Sequence, residues 1–569
     1  MLTRREFVSV AAATVALTGS GAGLRRAVAQ QTLGLDHLLR FPAKGQLTLL
    51  HMADCHAQLR PLYVREPSVN LGVGEMAGRP PHLTGHDAIA AFGLTPGSHE
   101  AHALTCVDFD ALARTYGRVG GMDRMATLVR AIRAERGDDR CLLLDSGDAL
   151  QGSYTALMSQ GGDMVRVMNA LGVEATTGHW EFTLGAKRIR ELYGDRLHGG
   201  LADARFLAAN VRDSEFEEPV FHGWHMFEKG GLQVAVIGQA FPYTAIAHPR
   251  WLLPKWWFGI REQALQRLVN HVRLSGASLV VLLSHNGFDV DRKLASRVAG
   301  IDIILSGHTH DALPQPERVG ATLVVSSGSH GKFLSRLDVD IDRGEIRDWS
   351  YALIPVFADA IPPDPAMRRL VADIRAPHAA FLATELAHTE ATLWRRGNFG
   401  GTLDDLICEA LLAERDAEIA LSPGFRWGGS LLAGQPITWD DVYNATAIAY
   451  PTAYRTEIRG AFLKTILEDV ADNLFNPDPY YQQGGDMVRV DGMSFVIRPD
   501  APVGERISGL TLTRTGQPIE AAKTYVVTGW GSLNEGIQGP PVWDVVARHL
   551  RARKTINGLA RRQVTVKRG

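Results

Sequence analysis

The stretch Leu47-Thr48-Leu49-Leu50-His51-Met52-Ala53-Asp54-Cys55-His56 passes from an apolar run to a carboxylate and an imidazole two positions apart. Leu47–His51 reads as a buried strand, because an uninterrupted apolar run suits a strand covered on both faces. The same transition recurs along the chain. Cys141–Asp145 is followed by Ser146-Gly147-Asp148, and then come Thr177-Gly178-His179-Trp180-Glu181, Leu283-Ser284-His285-Asn286-Gly287 and Ser306-Gly307-His308-Thr309-His310. Further strands are predicted at Leu232–Ile237, Ser278–Leu283 and Ile301–Leu305. Between them, Asp123–Glu135, Asp163–Leu171, Arg261–Leu274 and Asp291–Val298 carry helical spacing. Strands alternating with helices predict a layered α/β domain, in which loops at the strand ends gather along one edge.

Outward from this frame, Pro61–Arg118 is rich in Gly, Pro and His and weakly periodic, which suggests an insertion covering one face. Prolines crowd together at Pro355, Pro362, Pro363 and Pro365, placing a domain boundary so that residues 30–365 form the first domain and 366–569 a second. Met367–Leu382 is expected as a helical connector. Beyond it, helices at Leu403–Leu412, Phe462–Val470 and Val542–Arg551 mix with strands at Glu418–Ser422, Ser494–Arg498 and Thr524–Thr528, which predicts a smaller α+β domain. At the other end, Thr3-Arg4-Arg5-Glu6-Phe7-Val8 leads into an Ala-rich apolar run, and Ala27-Val28-Ala29 offers small residues for cleavage. Residues 1–29 thus read as a twin-arginine signal peptide, with export to the periplasm and no membrane association after its removal.

The chain has 569 residues, 45% of them hydrophobic, which is ample for buried cores and argues against disorder. Sixty Lys and Arg against 62 Asp and Glu leave a formal charge of −2 and no basic surplus, so nucleic acid is not an expected partner. Cys55, Cys106, Cys141 and Cys408 show no metal-ribbon or disulfide spacing. Cys55, between two polar neighbours, is expected to be a small buried hydrophobe.

Asp54, His56, Asp148, His179, His285, His308 and His310 are the candidate metal ligands. Seven nitrogen and oxygen donors exceed what one ion normally takes from protein, whereas one bridging carboxylate lets them serve two ions with four ligands each. Imidazole and carboxylate without thiolate suit zinc, iron or manganese, and ligand type alone does not choose among them.

The ordered set Asp-x-His, Gly-Asp, Gly-His, His and Gly-His-x-His resembles the calcineurin-like metallophosphoesterases of the 5′-nucleotidase type. Longer strings resemble the SoxB family of thiosulfohydrolases: His51-Met52-Ala53-Asp54-Cys55-His56-Ala57-Gln58, Gly238-Gln239-Ala240-Phe241-Pro242-Tyr243, Arg395-Arg396-Gly397-Asn398-Phe399, Ser422-Pro423-Gly424-Phe425-Arg426-Trp427-Gly428 and Tyr480-Tyr481-Gln482-Gln483-Gly484-Gly485-Asp486-Met487. The resemblance implies a β-sandwich flanked by helices, followed by a 5′-nucleotidase C-terminal-type domain. It assigns Asp54, His56, Asp148 and His310 to one ion and Asp148, His179, His285 and His308 to the other, and it implies two Mn²⁺. The implied activity is hydrolysis of a cysteine S-thiosulfonate on the carrier protein SoxYZ, with a hydroxide held by the metal pair as nucleophile and sulfate released. Asp148, His179 and Arg426 are then the expected catalytic residues. Arg426, Arg395, Asn398 and Trp180 are expected to bind substrate, with Arg396 a further candidate and Tyr480 and Tyr481 candidates for lining its channel.

One motif departs from the nucleotidases, which carry Gly-Asn-His-Glu-Phe-Asp where this chain reads Gly178-His179-Trp180-Glu181-Phe182-Thr183. The nucleotidase His–Asp pair, which assists an oxygen leaving group, is Trp180 and Thr183 here. A thiolate or persulfide departs unprotonated far more readily than an alkoxide, so the loss suits S–S cleavage. A periplasmic 5′-nucleotidase or phosphodiesterase is the alternative enzyme, and a metal-binding adaptor that only docks the carrier is the non-catalytic one.

Overall fold

The computed structural model describes residues 33–194, 200–559 and 563–567, so the signal peptide expected at 1–29 lies outside the described residues. Twelve strands build the two large sheets of the first domain: β1 (Leu47–Met52), β2 (Cys141–Asp145), β3 (Ala175–Thr176), β4 (Arg205–Phe206), β5 (Trp224–Lys229), β6 (Leu232–Gln239), β7 (Leu279–Ser284), β8 (Ile303–Ser306), β9 (Glu317–Val319), β10 (Thr322–Ser326), β11 (Phe333–Asp342) and β12 (Glu345–Pro355). They form two six-stranded sheets, ordered β12-β11-β1-β2-β3-β4 and β9-β10-β8-β7-β6-β5.

Every residue of β1, β2, β7 and β8 is buried, which is why these strands read as continuous apolar runs. Their alternate side chains serve different layers. Leu47, Leu49, Leu142, Leu144, Val281 and Leu305 fill the space between the sheets. Leu50, Met52 and Leu143 face the helices Met122–Arg136 and Gly162–Leu171, and Val280, Leu282 and Ile304 face Glu262–Leu274 and Phe288–Arg297. The result is a helix–sheet–sheet–helix sandwich. Parallel pairing aligns Met52 with Asp145, and Gln239 and Ser306 with Ser284, so the polar loops of each sheet start level at its carboxyl edge.

The second domain is α+β. Its four-stranded sheet joins Tyr454–Arg459, Thr524–Gly529, Ile419–Ser422 and Arg489–Asp491 in that order, and two three-stranded sheets flank it. Among the described residues, no helix is long and apolar enough to cross a membrane.

Three features differ from the sequence reading. The insertion at 61–118 contains helices Gly85–Ala91, His99–Leu104 and Phe109–Tyr116, each too short to show clear periodicity. The expected connector helix breaks around Pro377, and its first part, Pro365–Arg375, buries Met367, Val371 and Ile374 in the core of the first domain. The long hairpin β11–β12 was not anticipated, because Arg336 and Asp338 on β11 are buried yet look like a solvent-facing pattern.

The domains are joined through buried charge. Glu66 of the insertion accepts from Lys332 Nζ at 2.7 Å and from Arg396 Nη1 of the second domain at 2.8 Å. Burial disfavours the ionised carboxylate, but Lys332 and Arg396 outweigh it and hold the pKa of Glu66 below its ordinary value. This contribution to stability is present above the ordinary carboxylate range and is lost as pH falls through the lowered pKa. Removing a shared anion from two buried cations typically costs about 3–5 kcal/mol. Glu66→Ala should therefore lower the guanidinium unfolding midpoint sharply. A midpoint equal to that of the unmodified protein would show that the triad adds no stability.

Candidate metal centre

Each expected ligand leaves the carboxyl end of a strand. Asp54 and His56 follow β1, Asp148 follows β2, His179 follows β3, His285 follows β7, and His308 and His310 follow β8. Five of them lie in left-handed backbone: Asp54 (φ 51°), His56 (45°), Asp148 (57°), His308 (79°) and His310 (61°). Residues bearing a Cβ seldom adopt that region, and such strain concentrates where the surrounding structure aims side chains at a site.

The seven side chains converge as two buried groups that share one carboxylate. Asp148, His179, His285 and His308 bring ligand atoms within 4.8 Å of one another, as do Asp54, His56, Asp148 and His310. Asp148 Oδ2 lies 3.1 Å from His285 Nε2, 3.2 Å from His179 Nδ1 and 3.7 Å from His56 Nε2. His56 Nε2 faces His310 Nε2 at 3.0 Å. Two imidazole nitrogens pointing at each other, and the buried unpartnered atom His308 Nδ1, are what a site for cations requires. The proton affinities agree. Burial, with Asp148 and Asp145 nearby, drives the pKa of Asp54 well up against the opposing pull of His285. Burial alone would lower His285, but the Asp148 carboxylate overrides it and carries the ring to about 10. Protons are thus drawn to where divalent cations fit.

Outer hydrogen bonds fix three of the ligand rings, His285, His308 and His56. His285 Nδ1 donates to Ser146 O, and His308 Nε2 donates to Gln483 O at 2.9 Å. His56 Nδ1 donates to Gln151 Oε1 at 3.2 Å, and Gln151 Nε2 donates in turn to Ala447 O at 2.5 Å. His330 accepts from Gly428 N at 3.1 Å, and its own backbone N–H donates to Asp54 O at 2.8 Å. Glu181, fully buried, accepts backbone N–H groups from Ala149 at 2.7 Å, His179 at 2.8 Å and Asp148 at 3.3 Å, pinning two ligand loops together. The sequence offered little for these roles, since Ala447 and Gln483 act through backbone carbonyls and His330 belongs to no motif.

The remaining expected residues divide. Arg426 lines a cavity of about 50 Å³ together with His308 and Asn398. Its Nη1 donates to Thr309 O at 3.0 Å, between two ligands. Asn398 is buried, with Oδ1 accepting from Leu71 N at 2.6 Å. Trp180 packs edge-on against Trp427 at 4.8 Å and Phe425 at 5.1 Å, and Trp427 stacks on His56 at 5.7 Å, so the Trp180 ring shapes a wall while its backbone N–H donates to Asp148 Oδ1 at 2.7 Å. Thr183 Oγ1 donates back to Trp180 O at 2.7 Å. Arg395, expected to face substrate, is turned into the second domain, where Nε donates to Asp404 and Nη1 to Trp427 O and Ala445 O. Its charge is matched there by a buried carboxylate, and it positions Trp427. Arg396 pairs with Glu66. Tyr480 Oη donates to Glu262 at 2.6 Å between the domains, and Tyr481 is exposed. The Cys55 thiol is buried in the core and its pKa is pushed up, mainly by burial.

Glu181→Gln preserves shape but aims an amide N–H₂ at backbone donors. The loss is expected to be about 2 kcal/mol. Metal content of the purified variant should fall together with its melting temperature. Unchanged metal content would remove Glu181 from the support of the site.

Comparison with known proteins agrees with this architecture. The family described as 5′-nucleotidase, C-terminal domain, matches residues 379–547. The 5′-nucleotidase of Homo sapiens is 24% identical over 497 residues, covering 77% of this chain and 82% of its own. The structure of a 5′-nucleotidase precursor from Thermus thermophilus superposes with a TM-score of 0.71 at 22% identity, over 91% of this chain and 99% of that one. The sulfate thiohydrolase SoxB of Thermus thermophilus, solved in complex with glycerol, superposes with a TM-score of 0.88 at 38% identity, over 92% of this chain and 97% of that one. The chain belongs to the SoxB family, a dinuclear metallohydrolase on the metallophosphoesterase and 5′-nucleotidase scaffold.

Proposed function

We propose that the protein hydrolyses the cysteine S-thiosulfonate of a SoxYZ-type carrier and releases sulfate. The observation that carries this reading is the replacement of the nucleotidase His–Asp pair. Trp180 lies in an aromatic box and Thr183 donates to a main-chain carbonyl, so neither is placed as an acid for an oxygen leaving group. A sulfur leaving group needs none.

Asp54, His56, Asp148 and His310 would hold one divalent ion, and Asp148, His179, His285 and His308 the other. Two such ions supply Lewis acidity, lowering the pKa of water and stabilising charge on a tetrahedral anion. Water is the nucleophile towards the terminal sulfonate sulfur. As the new S–O bond forms, the S–S bond breaks, and the carrier persulfide leaves with the electron pair. The protons of the water pass to solvent, and the other product is sulfate. Burial opposes ionisation of Asp148, but His179 and His285 keep it anionic, ready to bridge. Arg426, beside His308, would offer its cation to the sulfonate from a guanidinium held in place by Thr309 O, Gly485 O and Asp486, the last at 3.6 Å. We take both ions to be manganese, the substrate to arrive on the carrier, and Arg4-Arg5 to route the folded protein to the periplasm by the twin-arginine pathway.

Kinetics on a leaving-group series test the chemistry. The thiosulfonate carrier should react well, activated aryl esters slowly and nucleoside monophosphates scarcely, each tenfold step being worth about 1.4 kcal/mol of barrier. Hydrolysis of adenosine monophosphate as fast as that of the carrier would restore the nucleotidase. Elemental analysis of exported protein should find close to two ions per chain, mostly manganese. One ion, or another metal, would overturn that assignment. Replacing Arg4 and Arg5 by Lys should leave precursor in the cytoplasm, and normal periplasmic accumulation would refute the route.

A further inference from the structure

The cavity beside His308 and Arg426 contains a second His–Asp pair, distinct from the one missing at Trp180 and Thr183. His82, from the insertion, donates from Nε2 to Asp289 at 3.0 Å, and Asp289 lies in the helix that follows the ligand His285. The ring is held in place. Asn70 ties the loop down by donating to Pro81 O and to Asp311, and Gly72 lies so close that a Cβ there would meet His82 Cγ at 2.8 Å.

His82 Nδ1 is buried and has no partner. Asn286 Oδ1, on a side chain that is 1% exposed, is likewise buried and unpartnered. Both residues line the same cavity of about 50 Å³ as His308 and Arg426. A buried polar atom left unpaired carries a desolvation penalty, so the protonated His82 Nδ1–H would meet an acceptor-rich group as a donor already stripped of water, while Asn286 Oδ1 could only accept from a donor or a water. Such a cavity is large enough for a small polyatomic group or a water molecule or two. The charges facing His82 are Asp289 and Asp311, which favour its protonated ring, and Arg426, which opposes it together with burial. The carboxylates prevail and the pKa is raised. With Nε2–H committed to Asp289, a protonated ring has its second N–H free.

We propose that His82, held by Asp289, is a substrate-contacting residue whose Nδ1–H donates to an oxygen of the sulfonate seated between His308 and Arg426. The assignment rests on the thiosulfohydrolase reading for the identity of the anion, but not for its charge or shape. It makes the insertion part of the site: one wall of the sulfonate pocket is then supplied by a segment outside the sandwich.

The test uses the metal-loaded full chain, with the thiosulfonate carrier as substrate and inorganic sulfate as product inhibitor. His82→Ala should lower kcat/KM by about tenfold and weaken sulfate inhibition by at least about fivefold, the worth of one charge-assisted hydrogen bond. Metal content should stay as in the unmodified protein, while the melting temperature should fall because Asp289 loses its buried partner. His82→Asn, which keeps an N–H donor, should recover part of the loss, and Asp289→Asn should show a smaller one. Sulfate inhibition and kcat/KM both within about twofold in His82→Ala, or losses that track metal content across all three variants, would overturn the proposal. Should the unmodified protein cleave adenosine monophosphate and leave the carrier intact, the functional reading fails by itself. Inorganic phosphate then replaces sulfate as inhibitor: weakened inhibition in His82→Ala upholds the contact, and unchanged inhibition removes it.

Discussion

Asp148 is the carboxylate on which the site depends, because it belongs to both ligand groups and is fully buried. A carboxylate removed from water must be compensated, and here His179 and His285 stand within 3.2 Å of it while Trp180 N donates to its other oxygen at 2.7 Å. Those partners come from β3 and β7, one in each sheet. Compensation of one charge thus fixes how the carboxyl edges of the two sheets meet. The left-handed backbone at Asp54, His56, Asp148, His308 and His310 follows from the same demand, since each loop must turn sharply to aim its side chain at a common point.

The metal centre is formed by both domains. His56 is oriented through Gln151 by the carbonyl of Ala447, His308 by the carbonyl of Gln483, and His330 receives the N–H of Gly428. All three second-domain groups are main-chain atoms, so their positions depend on the domain being seated and not on which side chain occupies the position. The Glu66–Lys332–Arg396 triad and the bond from Asn444 to Gln58 seat it. Ligand orientation and domain docking are therefore parts of one structural problem, and a change at the interface can reach the metals without touching a ligand.

The ligands and their strands were legible in the sequence because each is a local signal, an apolar run ending in His or Asp. Leu47–Met52 and Cys141–Asp145 needed only their own composition. What could not be read was the direction of a charge. Arg336 is buried against Glu135 and Asp338, which disguised β11 as a polar segment. Arg395 and Arg426 sit in similar Gly-rich strings, yet one is buried against Asp404 and the other borders the ligand His308. His82 and Asp289 meet across 207 positions, and neither residue has a local signature that would predict the pairing.

The chemistry of the walls follows from these placements. On one side Trp180, Trp427 and Phe425 pack together, with the buried His248 against both Trp180 at 4.7 Å and His179 at 4.8 Å. On the other, Arg426 and Asn398 border the cavity with polar groups, and His82 and Asn286 add unpaired buried atoms. On the proposed reading an oxygen leaving group on the aromatic side lacks the His–Asp pair of the nucleotidases, at the cost of several tenfold steps in rate. On the same reading a sulfonate held on the polar side leaves its sulfur leaving group free of any need for that pair. On the proposed thiosulfohydrolase reading the asymmetry of the walls selects the substrate: the scaffold keeps the ligand set of a dinuclear metallohydrolase, while Trp180 and Thr183 stand where the nucleotidases carry their His–Asp pair.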